Sequence, residues 1–189
     1  LAEPIYAYSF DMLGEGARTY YDANKYFENY KNAIMVIGKT STEKKHSISI
    51  KLSALHPRYE RGKLDLLRKE LLPKLFELIE LSKKFNVDIC FDAEEADRLN
   101  LSLFMVEEVL NSNLVDNNYA GFGIAVQAYQ QRSMFVLKWL DAKLHKLNKK
   151  MNVRLVKGAY WDTEIKLAQE KGLENYPVFT KKFITDLSY

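Results

Sequence analysis

Five short stretches in which apolar side chains alternate with small or polar ones recur along this chain, and each is followed by a longer stretch of helical periodicity. Successive strand residues point to opposite faces. Tyr8 and Phe10 therefore lie opposite Ala7, Ser9 and Asp11, and Ile48, Ile50 and Leu52 opposite Ser47, Ser49 and Lys51. Val87, Ile89 and Phe91 oppose Asp88, Cys90 and Asp92, while Phe122, Ile124 and Val126 oppose Gly123, Ala125 and Gln127. In the last strand Val153 and Leu155 face away from Asn152, Arg154 and Val156. An open doubly wound sheet buries both faces under helices and is apolar on both. One apolar face backed by a small or polar one predicts a barrel instead, with helices outside and the second face inside. The final residue of each strand then reaches the C-terminal mouth, where the sites of such barrels lie.

The helical stretches fit the same plan. Tyr20, Ala23, Tyr26, Phe27, Tyr30, Ile34 and Ile37 form one stripe, and Gly38 is expected to end that helix. Leu64–Phe85 reads as a long amphipathic helix kinked near Pro73. Helices over about 101–110, up to about Leu147, and from about Thr163 to Lys171 follow, the last stopped by Gly172; Phe179, Phe183, Ile184 and Leu187 repeat at helical spacing beyond it. Strand and helix alternate five times, which calls for a parallel sheet with helical crossovers. A complete (β/α)8 barrel takes typically ~250 residues. The expected fold is therefore α/β, an incomplete TIM-type barrel with about five of eight β/α units. The chain opens L-A-E-P without an initiator Met and stops at Tyr189 without a capping signal. Residues 1–189 are accordingly expected to be a partial barrel truncated at both ends, whose two open sheet edges give it a route to self-association.

Composition excludes more than it assigns. A formal net charge of +3 gives no case for nucleic acid through this segment. The single cysteine, Cys90, rules out an internal disulfide and suits a reducing compartment. No apolar run approaches the ~20 residues of a membrane span. There is no G-x-G-x-x-G, P-loop or nucleophile elbow. His46, His56 and His145 are scattered without helical ligand spacing, so no metal is assigned; Asp92, Glu94, Glu95 and Asp97 read mostly as a helix N-terminus. The Lys143–Lys150 run reads as a solvated helix end.

The chemistry gathers at the strand ends. Asp11, Lys51, Asp92, Gln127 and Arg154 are expected to converge on one mouth, where buried charges must pair or bind something. In one reading two carboxylates orient Lys51 toward a substrate carboxylate, and Arg154 with Lys157 stabilises negative charge on an electron-accepting ring. In another, Lys51 or Lys157 is the nucleophile of a Schiff-base aldolase. In a third, Asp11–Lys51–Asp92 is a self-satisfied ionic plug in a non-catalytic folding or interaction fragment. The stretch Met151–Trp161 carries the densest chemistry: Arg154, Lys157, Gly158, Tyr160 and Trp161 enter one turn, which suits a flat, partly anionic ligand.

Five segments then bear a family likeness. Y-S-F-D-M-L-G-E (8–15), I-S-I-K-L-S-A-L-H-P-R-Y (48–59), D-A-E-E-A-D-R-L (92–99), Q-A-Y-Q-Q-R (127–132) and R-L-V-K-G-A-Y-W-D-T-E-I-K (154–166) occur in order. Together they resemble the proline dehydrogenase domain of the bifunctional bacterial proline utilisation A flavoenzymes. The resemblance implies FAD-dependent oxidation of L-proline to pyrroline-5-carboxylate by hydride transfer from C5 to the flavin, with electrons passing to a membrane quinone. It implies a cytoplasmic protein with peripheral contact at the inner face of the cell membrane. Lys51 corresponds to the substrate-carboxylate lysine, with Asp11 and Asp92 beside it, and Lys51, Asp92 and Arg154 form the implied catalytic set. Glu15 resembles a gating carboxylate and Tyr160 an aromatic wall beside the substrate. Gln127, Arg154, Val156, Lys157, Gly158, Ala159, Trp161 and Thr180 correspond to flavin contacts. The family's further substrate-gripping residues fall beyond this sequence, which leaves turnover by the isolated chain open.

Overall fold

The computed structural model describes residues 6–40, 44–116 and 119–189. The tips of the polar loop (41–43) and of the Asn-rich loop (117–118) lie outside that set, as does the L-A-E-P start. Strands β1 (Ser9–Asp11), β2 (Ser47–Ile50), β3 (Asp88–Phe91), β4 (Phe122–Gln127) and β5 (Asn152–Val156) form one sheet in sequence order. Every neighbouring pair is parallel. Helices α1 (Tyr20–Thr40), α2 (Leu64–Glu70), α3 (Leu72–Phe85), α4 (Leu99–Asn111) and α5 (Ser133–Leu147) supply the crossovers, and α6 (Trp161–Glu170) and α7 (Lys182–Ser188) follow β5.

The sheet curls toward its small and polar face. Neighbouring strands sit ~4.8 Å apart, so a flat sheet would place β1 roughly 19 Å from β5. Yet Arg154 on β5 donates to Ser49 Oγ on β2 at 2.7 Å and reaches Ser9 Oγ on β1 at 3.4 Å. Only a half-barrel brings those groups within one arginine's length. The small inner residues make that curl feasible. A Cβ on Gly123 would stand 2.8 Å from the Asn152 carbonyl oxygen, so the β4–β5 approach depends on its absence.

The outer face carries the core. Ile48, Ile50, Ile89, Phe91, Phe122 and Ile124 are buried against Phe27, Tyr30 and Ile34 of α1, Leu75, Leu78 and Ile79 of α3, and Met105, Val106 and Val109 of α4. Each such side chain contributes ~1.5–3 kcal/mol. At the sheet edges the same face is bare: Phe10 is 42% and Val153 41% exposed, so the alternation holds there while its burial does not.

Four local expectations change. Helix α1 runs through Gly38 to Thr40. A Cβ at Gly38 would fall 2.6 Å from both the Phe85 Cβ and its carbonyl oxygen, so this glycine admits the α3 end rather than ending α1. The long helix breaks into α2 and α3 at Leu71, and Pro73 lies in the first turn of α3, where a missing N–H costs least. Phe179 does not join the last helix. Its N–H donates to the Tyr129 carbonyl at 2.8 Å, and an antiparallel bridge pairs Val178 with Gln130. The basic run is only partly solvated, since Lys149 Nζ donates to the carbonyls of Leu110 (2.6 Å) and Ser112 (2.7 Å) and Lys143 pairs with Glu107. Among the described residues no helix is long and apolar enough to cross a membrane.

Candidate active site

At the C-terminal mouth, Lys51 Nζ sits 2.8 Å from Asp11 Oδ1 and 2.9 Å from Asp92 Oδ2. The other Asp92 oxygen accepts from Arg154 Nη2 at 2.5 Å. Two carboxylates and two cations carried by four different strands thus form one neutral cluster, with Lys51 and Asp92 only 12% and 15% exposed and Asp11 57% exposed. Burial alone would lower the Lys51 pKa, but its bonds to Asp11 and Asp92 outweigh that and hold it above the ordinary lysine value. The amine is a cation, not a nucleophile, so imine formation finds no support at Lys51. The Lys51 backbone N–H donates to the Tyr30 hydroxyl at 3.1 Å, which fixes the strand end from the outer side. Burial raises the Tyr30 pKa to about 12, keeping that phenol neutral.

The turn after β5 forms the second part. Gly158 has φ +141, and a Cβ there would stand 2.5 Å from the Tyr129 ring, so the backbone lies directly on that aromatic face. Gln127, the last residue of β4, donates through Nε2 to the Glu94 carbonyl (2.9 Å) and accepts the Ala159 N–H through Oε1 (3.0 Å). Val156 accepts the Ala128 N–H at 2.7 Å, tying the same two strand ends. The Trp161 Nε1–H donates to the Phe179 carbonyl at 2.9 Å, next to the exposed Thr180. Lys157 is drawn outward to Asp186 on α7 at 2.5 Å, away from the Lys51 cluster. Tyr160 turns back across the mouth and donates its hydroxyl to Glu15 Oε2 at 2.8 Å. Burial first, and then the Glu15 carboxylate, raise the Tyr160 pKa, so the phenol stays a donor.

The acidic run after β3 separates into distinct roles. Asp92 joins the cluster, and Asp97 lies 3.8 Å from Lys171. Glu94, expected to favour a helix N-terminus, is 4% exposed, accepts the Ser53 N–H at 3.1 Å and pairs with Arg98 at 2.8 Å. Burial raises its pKa against the lowering pull of Ser53 and Arg98. Among the described residues no group of three or more His, Cys, Asp or Glu is placed to hold a metal. The sequence marks Ser49 as inward-facing and Glu94 as an acid at a helix start without giving their partners, and it gives no role to Ser53 or Glu164; Glu164 of α6 is buried and accepts the Ala96 N–H at 2.6 Å. Apart from the alternation that turns Ser49 inward, the Glu94/Arg98 spacing of four is the trace these partners leave in the sequence.

The arrangement suits a flat group carrying negative charge. Arg154 is 36% exposed beside the Lys51 hollow, and Gly158 and Ala159 present bare backbone. Beneath them the Tyr129 hydroxyl is buried without a well-formed hydrogen bond, beside the Gln127 amide and the Tyr160 backbone.

Comparison with known proteins agrees with the half-barrel fold. The family model for proline dehydrogenase matches residues 1–189. The bifunctional protein PutA of Klebsiella aerogenes is 47% identical over 194 residues, an alignment covering 100% of this chain and 15% of that protein. The chain therefore spans about 15% of the length of the curated relatives it matches. A crystal structure of a Bradyrhizobium japonicum PutA mutant superposes with a TM-score of 0.92 at 50% identity, covering 96% of this chain and 19% of that one. PutA from Bdellovibrio bacteriovorus, inactivated by N-propargylglycine, gives 0.88 at 28% identity, covering 99% and 21%. With its half-barrel and the family model spanning every residue, the chain belongs to the proline dehydrogenase family.

Proposed function

We propose that this chain supplies the proline-oxidising site of a larger flavoenzyme, taking L-proline to pyrroline-5-carboxylate. The observation that carries this reading is Lys51, a buried cation held between Asp11 and Asp92 at the mouth of the half-barrel. A carboxylate entering the hollow finds in Lys51 a donor that is already charged and aimed, and it replaces exposed Asp11 more readily than buried Asp92. N-propargylglycine, which inactivates the Bdellovibrio relative, carries as proline does a carboxylate next to a secondary amine.

FAD fits the turn described above, and when bound it supplies the acceptor for the hydrogen that leaves the substrate C5. Arg154 would face the ring, with its charge tuned by Asp92 and its angle set by Ser49. Gln127, Val156, Lys157, Gly158, Ala159, Trp161 and Thr180 would hold the rest of the cofactor. Tyr160 and Glu15 would wall the substrate and exclude water. Electron transfer onward to a membrane quinone, through peripheral contact from the cytoplasm, completes the proposal. Whether the isolated chain turns over follows from the same test.

Express the 189-residue chain and the full-length protein, and measure flavin absorbance and proline-dependent dye reduction. Full-length protein should be yellow and active, and Lys51→Met should raise the proline KM by at least tenfold, a loss of ~1.4 kcal/mol or more. Near-wild-type kinetics in Lys51→Met would remove Lys51 from the substrate site.

A further inference from the structure

The loops at the mouth are joined in a closed circuit of hydrogen bonds that crosses from one β/α unit to the next. Gly16 N–H donates to Ser53 Oγ at 3.0 Å, and Ala17 N–H to the Ser53 carbonyl at 2.9 Å. Ser53 N–H donates to Glu94 Oε1 at 3.1 Å. The Glu94 carbonyl accepts from Gln127, and Gln127 accepts from Ala159. One residue further on, the Tyr160 hydroxyl reaches Glu15, back on the loop where the circuit began.

Ser53 is the branch point. Its N–H, hydroxyl and carbonyl are all engaged, with three different residues, and it is only 2% exposed. A buried serine with every polar group committed is more than a turn former. The loop it holds has an unusual build. Gly14 (φ +113) and Gly16 (φ +64) flank Glu15, so the one carboxylate of the arm stands between two glycine joints. A Cβ at Gly14 would stand 2.5 Å from the Tyr26 ring, but nothing lies within 4 Å of where a Gly16 Cβ would be and Leu13 is 96% exposed, so packing holds the start of the arm and not its turn at Glu15. That turn is fixed by the two hydrogen bonds that the Gly16 and Ala17 amides make to Ser53 at its stem and by the single Tyr160 contact at its tip.

We propose that Ser53 is a positioning residue for the substrate gate: by anchoring the amides of Gly16 and Ala17 it places Glu15 to receive the Tyr160 hydroxyl and so sets the closed state of the loop over the Lys51 hollow. This rests on the proline-oxidation reading. Ser53 touches neither substrate nor flavin in that scheme, so its effect passes through Glu15 and falls on substrate capture rather than on the chemical step.

The test uses the full-length protein with Ser53→Ala, Glu15→Ala and the double variant, all assayed by proline-dependent dye reduction. Ser53→Ala should raise the proline KM roughly fivefold, the scale of one lost hydrogen bond, with kcat changed less than twofold and flavin occupancy unchanged. In the Glu15→Ala background, Ser53→Ala should add nothing further, because its effector is gone. A KM within twofold of wild type in Ser53→Ala, or effects that multiply in the double variant, would overturn the assignment while leaving proline oxidation standing. A wild-type protein without proline-dependent reduction would overturn both. Should Ser53→Ala fail to fold, hydrogen exchange on the wild-type protein decides: the Gly16 and Ala17 amides should be protected while Leu13 exchanges fast. Uniformly fast exchange across 12–19 would refute the anchor.

Discussion

Replacing Asp92 by Asn tests the construction of the site more sharply than any other single change. Asp92 bonds Lys51 at 2.9 Å and Arg154 at 2.5 Å, so its loss leaves two cations in a partly buried hollow with only the more exposed Asp11 to balance them. At an effective dielectric of ~20, the Lys51 attraction alone is about 6 kcal/mol before desolvation is counted. Removing one partner of a buried pair costs ~3–5 kcal/mol, because the other charge stays buried and unmatched. Arg154 is 36% exposed and retains its serine hydroxyls, which lets water screen part of the loss. The expected cost is therefore near the lower limit, about 3 kcal/mol. Asp11→Asn removes the other Lys51 partner, but Asp11 is 57% exposed, and a pair of that kind is worth ~1 kcal/mol or less.

Urea unfolding followed by the fluorescence of Trp139 and Trp161 reads both changes. Asp92→Asn should lower the midpoint by about 1 M or more, and Asp11→Asn by less than half of that. Combining Asp92→Asn with Lys51→Met should cost less than the sum of the two, by about 1–3 kcal/mol, since the stranded cation is removed together with its counter-ion. Equal midpoints for the two single Asn variants, or strict additivity in the pair, would refute a closed ionic cluster and leave four strand-end charges independently solvated.

The turn and the inner face give further checks. Gly158→Ala should cost about 1–3 kcal/mol and strip flavin from the full-length protein, because the new methyl meets the Tyr129 ring at a φ of +141; full occupancy in that variant would show that the backbone need not lie on Tyr129. Burial pushes the Cys90 thiol up to about 11 from an ordinary 9.0. At pH 8 that leaves about a hundredfold less thiolate than an ordinary thiol has, so alkylation should be slower by about that factor and should climb roughly tenfold per pH unit until near pH 11. Alkylation at pH 8 within threefold of a free cysteine would mean that the inner face of β3 is open to solvent.

What the sequence disclosed and what it hid divide along a physical line. Alternation is a local property with a period of two, so it correctly assigned Asp11, Lys51, Asp92, Gln127 and Arg154 to inward-facing positions before any contact was known. The contacts themselves are non-local. Arg154 meets Ser49 only because three intervening strand steps curl, and nothing around Ser49 marks it as an arginine partner. Gly38 resembled a helix stop, yet it answers to Phe85 on another helix. Glu94 resembled one more acid near a helix start, and Ser53 resembled turn filler. Their meaning lies in a bond between loops of different units.

That bond bears on how the mouth works. In a repeated β/α architecture each strand end is set by its own unit, and errors in curl accumulate from one unit to the next. The circuit through Ser53, Glu94, Gln127 and Ala159 ties the loops directly to one another, so the spacing between Lys51 and Arg154 is held at the mouth as well as through the sheet. Asp92 performs the same task inside the hollow with charge in place of backbone. The two sets of bonds differ in what disturbs them. On the proposed reading a substrate carboxylate would compete with Asp11 and Asp92 for Lys51, but it would have no purchase on Ser53 N–H or on the Gln127 amide. Ligand binding can therefore rearrange the inner cluster while the outer circuit keeps its frame. The Tyr160–Glu15 joint belongs to the outer set and is its one side-chain to side-chain link. It alone can open without breaking a backbone bond, and on the proposed reading it is there that the mouth would admit substrate.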